Sequence, residues 1–385
     1  MRKYIDFKGK SAKQYKYLYQ KLLDREIIKK AYKKLRKGKT RRKEIIYIDA
    51  HYEEEAEKIR NRILNTRPGA KEEDCFRPVK KEPKFIAEKD KIRRIYMPEI
   101  HEQWIHHIII QVLSPIIMRT AYKHSYGSIP NRGSHLAKKT IESWIKEGKE
   151  VKYFAKLDIR HFYDSIRLDI LFRELSEHIK DEWFLFVIKR CLINFKRGLP
   201  LGFYISQWLA NYLLEPLDVF MTEHLGFKKM IRYMDDIYFS DNNKKRLHEA
   251  ITEIRQFLGQ KFRLKLKRNY QVCKFDYKGK GRPLNFVGFI FFREKTVIRK
   301  EIMLSLTRLV RKFQKKKEQG LLIYKKHISA FLSYMGWISH SNTYDFYLAN
   351  IKPYVSIRKL KHIISKIDRR TNNDELGRRT LLQAA

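Results

Sequence analysis

Three cysteines in 385 residues are too few and too scattered for a covalent framework: Cys75, Cys191 and Cys273 share no paired spacing. That excludes a disulfide scaffold and a zinc ribbon, and it fits a reducing cytosol. The 13 histidines form no His/Cys cluster of zinc spacing, and His106-His107 stand in an apolar run that reads as helix packing. No apolar run reaches the ~20 residues a membrane-spanning helix needs. The start, Met1-Arg2-Lys3-Tyr4-Ile5-Asp6, is charged and lacks the apolar core of a signal peptide, so no membrane partner is expected. Internal repeats and low-complexity linkers are also missing. Acidic residues are outnumbered: 43 Asp+Glu face 85 Lys+Arg, a net charge of +42. Because the basic residues run the whole length, the folded body itself must be cationic. Counterion release from nucleic acid is the strongest driving force open to such a surface. A hydrophobic content of 43% and an aromatic content of 13% exclude wholesale disorder and allow two or three subdomains with a sizeable core.

One stretch organises the rest: Arg232-Tyr233-Met234-Asp235-Asp236-Ile237-Tyr238-Phe239-Ser240. Two adjacent acids between apolar, β-branched and aromatic residues predict a strand–turn–strand hairpin with the carboxylates at the turn. Beside a third acid on a neighbouring strand, they would form an oxygen cage for two hard cations, as in-line phosphoryl transfer requires. Alone, the pair reads first as an ordinary acidic turn in a surface hairpin.

Along the chain, residues 1–65 read as basic helices with interleaved aromatics, and Gly38 suits a left-handed C-terminal cap. A charged hairpin is expected across Lys84-Phe85-Ile86 and Lys91-Ile92-Arg93-Arg94-Ile95. Arg93 and Arg94 there could grip a triphosphate or be simple surface charge. A helix from about Glu99 to Met118 follows. The loop Ser125-Tyr126-Gly127-Ser128-Ile129-Pro130-Asn131-Arg132-Gly133-Ser134-His135 then leads into a helix, where backbone amides and Arg132 suit a phosphate or form a plain connection. Lys152 to Ile159 reads as a buried strand ending in Asp158, with Phe162-Tyr163 close behind. Helices then run over about 168–179 and 182–195. Gly198-Leu199-Pro200-Leu201-Gly202 is a turn allowing close backbone approach, and it precedes a helix bearing Ser206, Gln207 and Asn211. After the Asp-Asp hairpin, a helix at about 248–258, an edge strand over Phe262-Arg263-Leu264-Lys265-Leu266-Lys267 and a β run at 284–292 are predicted. Residues 300–385 read as basic helices, with Arg308, Arg311 and Lys315 on the first of them.

The ordered set of Asp158 with Phe162-Tyr163, the Gly198–Gly202 turn with Ser206-Gln207 and Asn211, Tyr233-Met234-Asp235-Asp236, and Asn285-Phe286-Val287-Gly288 resembles the bacterial reverse transcriptases. That group holds the group II intron, retron, diversity-generating retroelement and phage-defence enzymes. The resemblance implies an α+β right-hand polymerase with an antiparallel palm sheet: basic N-terminal helices and fingers over 1–145, palm over 146–292, helical thumb over 293–385. It implies two Mg²⁺ ions, or Mn²⁺ in their place, on Asp158, Asp235 and Asp236 with the backbone of Ile159. Tyr163 matches the aromatic that rejects a 2′-hydroxyl. Leu201, Gly202, Gln207, Met234 and Arg93 or Arg94 would line the nucleotide pocket. Arg132, Ser206 and Asn211 would touch nucleic acid, as would the basic helix with Arg308, Arg311 and Lys315. Lys267 is the candidate proton donor to pyrophosphate. The implied partners are a dedicated structured non-coding RNA template, a DNA or RNA primer, dNTPs and a small accessory protein.

Leu201 stands where many members carry Gln, and Ser206-Gln207 where Ser-Pro is common; both features are nearer to diversity-generating retroelement or defence enzymes. Leu201 would relax fidelity by removing a polar group beside the templating pair, and an unchanged misincorporation spectrum in Leu201→Gln would sink that idea. No endonuclease, maturase or protease domain is expected beyond the thumb. The rival readings are a template-independent DNA-synthesising enzyme of the abortive-infection type and a non-catalytic RNA-binding protein of polymerase shape.

Overall fold

The computed structural model describes residues 13–79, 82–88, 91–276, 279–321 and 323–370, so the first twelve residues of the predicted basic helical segment lie outside it. Among the described residues four helices come first: α1 (Leu18–Leu22), α2 (Arg25–Arg36), α3 (Lys43–Ala50) and α4 (Tyr52–Asn65). The Asp24 carboxylate caps α2 by accepting the Glu26 and Ile27 N–H groups at 2.7 and 3.2 Å. Ile28, Ala31, Tyr32 and Leu35 form its buried stripe, and Gly38, at φ 74°, turns the chain beyond it as expected. The charged hairpin is present as β1 (Lys84–Glu88) and β2 (Lys91–Ile95), paired antiparallel. Next comes α5 (Ile100–Thr120), apolar on nearly every face and therefore a buried helix. Its Trp104 indole donates to the Ile28 carbonyl at 3.0 Å, locking α5 to α2.

The chain continues through α6 (Ser134–Glu147), β3 (Tyr153–Asp158), α7 (Phe162–Ser165), α8 (Leu168–His178), α9 (Glu182–Cys191), α10 (Tyr204–Leu213) and α11 (Glu215–Val219), which runs into a π-helical turn at Phe220–His224. The Asp-Asp hairpin is β4 (Met230–Tyr233) and β5 (Asp236–Asp241), with Arg232 opposite Ile237 and Tyr233 opposite Asp236. Met230 and Ile231, and then Ile237, Tyr238 and Phe239, are buried as continuous runs, the mark of strands covered on both faces. After α12 (Lys244–Phe257) comes β6 (Gln271–Lys274), and the four-stranded sheet has the order β4-β5-β3-β6.

The predicted edge strand over 262–267 is corrected. Phe262 closes a π-helical turn that begins at Leu258, and Arg263 turns left-handed at φ 57°. Only Leu266 bridges to Ile159. Leu264 and Leu266 are buried as the alternation implied, yet the left-handed residue stops a ladder from forming. The outer strand is instead β6, a polar stretch without a strand pattern.

Chain contacts divide the molecule into two compact units, Met1–Gly133 with Ala155–Val272 and Ser134–Phe154 with Cys273–Ala385. The second contains β7 (Leu284–Phe286), β8 (Phe289–Phe291) and β9 (Thr296–Ile298), an antiparallel sheet in that order, and then α13 (Lys300–Glu318), α14 (Lys325–Ser339), α15 (Tyr344–Asn350) and α16 (Ile357–Arg370). The turn between β7 and β8 needs Gly288, at φ 90°, because a Cβ there would lie 2.4 Å from the Trp337 ring.

Candidate active site

Asp158 ends β3, whose Phe154, Ala155 and Leu157 are buried and so fix its register. Backbone bonds gather the surrounding segments. The Ile159 N–H donates to the Asp235 carbonyl at 3.2 Å, Lys267 N–H to the Asp158 carbonyl at 2.8 Å, and Arg160 N–H to the Lys265 carbonyl at 2.8 Å. Asp235 lies in the turn after Met234, which is left-handed at φ 55°, and Asp236 opens β5. Gly127 packs on this turn so closely that a Cβ would sit 2.6 Å from both the Met234 N and Cγ atoms.

Asp235 and Asp236 both feel their acidic neighbours. Burial raises the Asp235 carboxyl, and the Asp158 charge raises it further. Asp236 is pushed up to about 6, first by burial and then by Asp158 and Asp235, against the opposing pull of Lys156. Two lysines offset the anions: Lys267 Nζ donates to Asp158 Oδ2 at 2.5 Å, and Lys156 Nζ lies 3.4 Å from Asp236 Oδ2. The other oxygens, Asp158 Oδ1 and Asp236 Oδ1, are buried and accept no hydrogen bond.

Among the described residues no three His, Cys, Asp or Glu side chains form a group that could hold a metal ion as they stand. The donor chemistry nevertheless fits a hard divalent cation, since all three groups are oxygen donors, two buried oxygens lack partners and the anions repel. A cation there would satisfy the orphaned oxygens and hold the three carboxyls ionised.

Around the acids, Tyr163 carries a hydroxyl whose pKa is raised by burial and by Asp235. Its carbonyl accepts the Leu199 N–H at 2.8 Å, and the Gly198 N–H reaches the Ile166 carbonyl at 2.8 Å, so the glycine turn is sewn to the aromatic one. Leu201 in turn accepts the Tyr96 N–H at 2.8 Å. Gly202, at φ 101°, comes so near the Tyr96 carbonyl that a Cβ would lie 2.1 Å from its oxygen. Arg93 is exposed on β2 and its charge lowers the pKa of Asp235 and Tyr163, while Arg94 lies 3.8 Å from Asp164.

Residues 79–291, just over half of the chain, match the family profile described as Reverse transcriptase (RNA-dependent DNA polymerase). The chain belongs to the reverse transcriptase family. Its α+β architecture, with the acidic antiparallel hairpin in the palm sheet, is that of the right-hand polymerases. It is 26% identical over 206 residues to the Retron Ec73 reverse transcriptase of Escherichia coli, covering 49% of this chain and 62% of that one. Protein YkfC of Escherichia coli strain K12 is 21% identical over 145 residues, 34% of this chain and 38% of its own. The chain thus spans less than two thirds of the curated relatives it matches. Among solved structures, apo telomerase from Candida tropicalis aligns with a TM-score of 0.45 at 13% identity, covering 74% of this chain and 61% of that one. Telomerase from Candida albicans in complex with the TWJ fragment of telomeric RNA aligns at 0.42 and 13%, covering 77% and 61%.

In this chain the first unit brings together Asp158, Ile159, Asp235, Asp236, Lys267, Tyr163, Met234 and Arg93. Gln207 is half-buried on α10. Two of the expected nucleic-acid contacts, Asn211 and Ser206, are buried, and a third, Arg132, engages its own loop. Asn211 is buried, its amide donating to the Gly127 carbonyl at 2.8 Å and its oxygen accepting from Arg232. Ser206 is 1% exposed. The Arg132 guanidinium turns back on its own loop, bonding the Tyr122 and Ser125 carbonyls at 2.6 and 3.1 Å. Asn211 and Ser206 are enclosed by protein, while Arg132 is half-buried with one guanidinium nitrogen engaged by its own loop. Arg308, Arg311 and Lys315 are exposed on α13 of the second unit. Sequence reasoning missed Lys156, although a basic residue two positions before Asp158 on a strand shares its face. It also missed Asp218 and Arg232, charges inside apolar stretches.

Proposed function

We propose that this chain is an RNA-directed DNA polymerase that copies a dedicated, structured RNA into DNA. The observation that carries the reading is the meeting of Asp158, Asp235 and Asp236 beside Tyr163 and Arg93, with Asp235 and Asp236 raised in pKa by burial and by neighbouring acids, and with one buried oxygen of Asp158 and one of Asp236 left without a partner. Asp158, Asp235 and Asp236, with the Ile159 carbonyl, would hold two divalent ions, Mg²⁺ or Mn²⁺. Such ions supply Lewis-acid activation of a primer 3′-hydroxyl and neutralise the triphosphate.

The chain's own residues do the rest. Arg93, and Arg94 once released from Asp164, bind the phosphates of an incoming dNTP. The Tyr163 ring occupies the space a ribose 2′-hydroxyl would need, and Leu201, Gly202, Gln207 and Met234 form the nucleotide's surroundings. Lys267 lies against Asp158, where its ammonium would be placed to pass a proton to the departing pyrophosphate. Lys156 keeps Asp236 ionised against its burial. Arg308, Arg311 and Lys315 provide phosphate-backbone contacts on the helical thumb. The RNA partner accords with the net charge of +42 and with the retron enzyme among the relatives.

Primer extension tests this. Purified chain with Mg²⁺, dNTPs and a DNA primer annealed to RNA should yield template-length cDNA, and Asp235→Ala should yield none. Equal synthesis without template would instead favour the template-independent enzyme. No synthesis under any of these conditions would overturn the polymerase reading.

A further inference from the structure

Arg232 lies on β4 inside the core, where a guanidinium is costly unless its donors are engaged. Its Nε and Nη2 grip the Asp218 carboxylate at 2.7 and 2.6 Å, and the two side chains are 2% and 1% exposed. Its remaining nitrogen, Nη1, donates to Asn211 Oδ1 at 3.0 Å and to the Met234 carbonyl at 3.3 Å. Asn211 passes the connection on through its bond to the Gly127 carbonyl. The backbone of Arg232 also bonds the same loop, taking the Tyr126 N–H at 2.9 Å and giving its own to the His124 carbonyl at 3.1 Å. One side chain therefore ties α10, α11 and the loop at 124–127 to the turn that presents Asp235.

That turn needs holding. Met234 sits in the left-handed region, which costs a non-glycine residue roughly 1–2 kcal/mol, and its N–H and side chain press on Gly127. The two bonds to Asp218 leave Nη1 to be satisfied elsewhere, and where it goes decides what the pair can hold. Here the third nitrogen reaches the carbonyl of the residue immediately before the acids, so the geometry of the pair is transmitted to their backbone.

We propose that Asp218, Arg232 and Asn211 form a positioning brace that fixes the Met234-Asp235 turn, so that Asp235 and Asp236 stand in register with Asp158. The proposal rests on the polymerase reading for its catalytic readout only. None of the three touches a reacting atom; they act through the turn.

The test compares Asn211→Ala and Arg232→Lys with Arg190→Lys. Arg190 is a buried arginine that pairs with Glu72 and the Phe76 carbonyl away from the acids. Arg232→Lys keeps the charge facing Asp218 but gives up the fork that reaches Asn211 and Met234. Melting temperature, kcat and KM for dNTP, the Kd for primer–template, and the melting shift on adding Mn²⁺ are measured on each. The brace predicts kcat lowered roughly tenfold or more in both variants, because small misplacements of reacting groups are expensive. KM and Kd should stay within about twofold, the signature of a loss confined to the chemical step. The Mn²⁺-induced shift should shrink, and Arg190→Lys should lower the melting temperature without lowering kcat per folded molecule. Unchanged kcat in Asn211→Ala, or a loss that appears only in Kd, would overturn it, the latter returning Asn211 to nucleic-acid contact. Should the wild-type chain extend no primer, the polymerase reading fails separately. The Mn²⁺ shift then still decides: a shift in the wild type that is lost in Asn211→Ala supports the brace, and equal shifts in both overturn it.

Discussion

Asp236 holds its proton up to a pH of about 6 because burial and two neighbouring carboxylates outweigh Lys156. Such a cluster favours a divalent ion over bare anions, and it is strained without one. Asp235→Asn should therefore abolish primer extension by roughly a thousandfold, the scale at which a preorganised charge contributes to a transition state. The same substitution should leave the metal-free melting temperature unchanged or higher, since it removes a like charge from a buried group. Activity assays and thermal denaturation in chelator check the two halves. Tyr163→Ala should admit ribonucleotides, cutting the dNTP-over-rNTP ratio of kcat/KM by roughly tenfold or more; steady-state incorporation of each measures it. The acids and the tyrosine were legible because short motifs announced them. Lys156 was not, because its meaning depends on which face of β3 meets the hairpin.

Elements carry their own tests. The turn at Gly198–Gly202 reaches β2 through Gly202, whose positive φ and 2.1 Å clearance from the Tyr96 oxygen leave no room for a methyl group. Gly202→Ala should cost more than about 2 kcal/mol, while Gly38→Ala, equally left-handed but in open space, should cost only about 1 kcal/mol. Denaturant titration of both separates steric clash from backbone strain. On α5, His106 packs tilted against Phe203 at 4.9 Å and His107 stacks on Tyr204 at 4.1 Å, and burial lowers their pKa values to about 3 and about 4. The folded state excludes protons that the unfolded chain takes up below its ordinary value of about 6.5. Stability is thus complete above that pH and falls as pH drops toward 4 and 3, by about 1.4 kcal/mol per pH unit for each histidine. His106 makes no hydrogen bond through either ring nitrogen, so His106→Leu should move the acid-unfolding midpoint to lower pH, as followed by circular dichroism. Reading the His-His pair as helix packing held at this scale. The edge strand over 262–267 did not, because alternation reports burial while a ladder also needs extended backbone at Arg263.

At the scale of the molecule the net charge of +42 dominates. Affinity for duplex should fall linearly with the logarithm of salt, with a slope near −0.9 for each phosphate contacted on B-form duplex, roughly. Replacing Arg308, Arg311 and Lys315 together by Glu should flatten that slope by about two to three without lowering the melting temperature, because all three side chains are exposed. Filter binding over a salt series gives the answer, and an unchanged slope would remove α13 from the nucleic-acid surface.

The amino-acid order alone determined the cationic body, the helices of the second unit and the hairpin that presents two acids. Each follows from composition or from a local period of two or 3.6 residues. Only the tertiary structure decided that Asn211 is enclosed by protein, that Arg132 engages its own loop, and that Asp218 answers Arg232. Those outcomes turn on which distant segments pack together, and a buried polar group takes whichever partner that packing brings within hydrogen-bond reach.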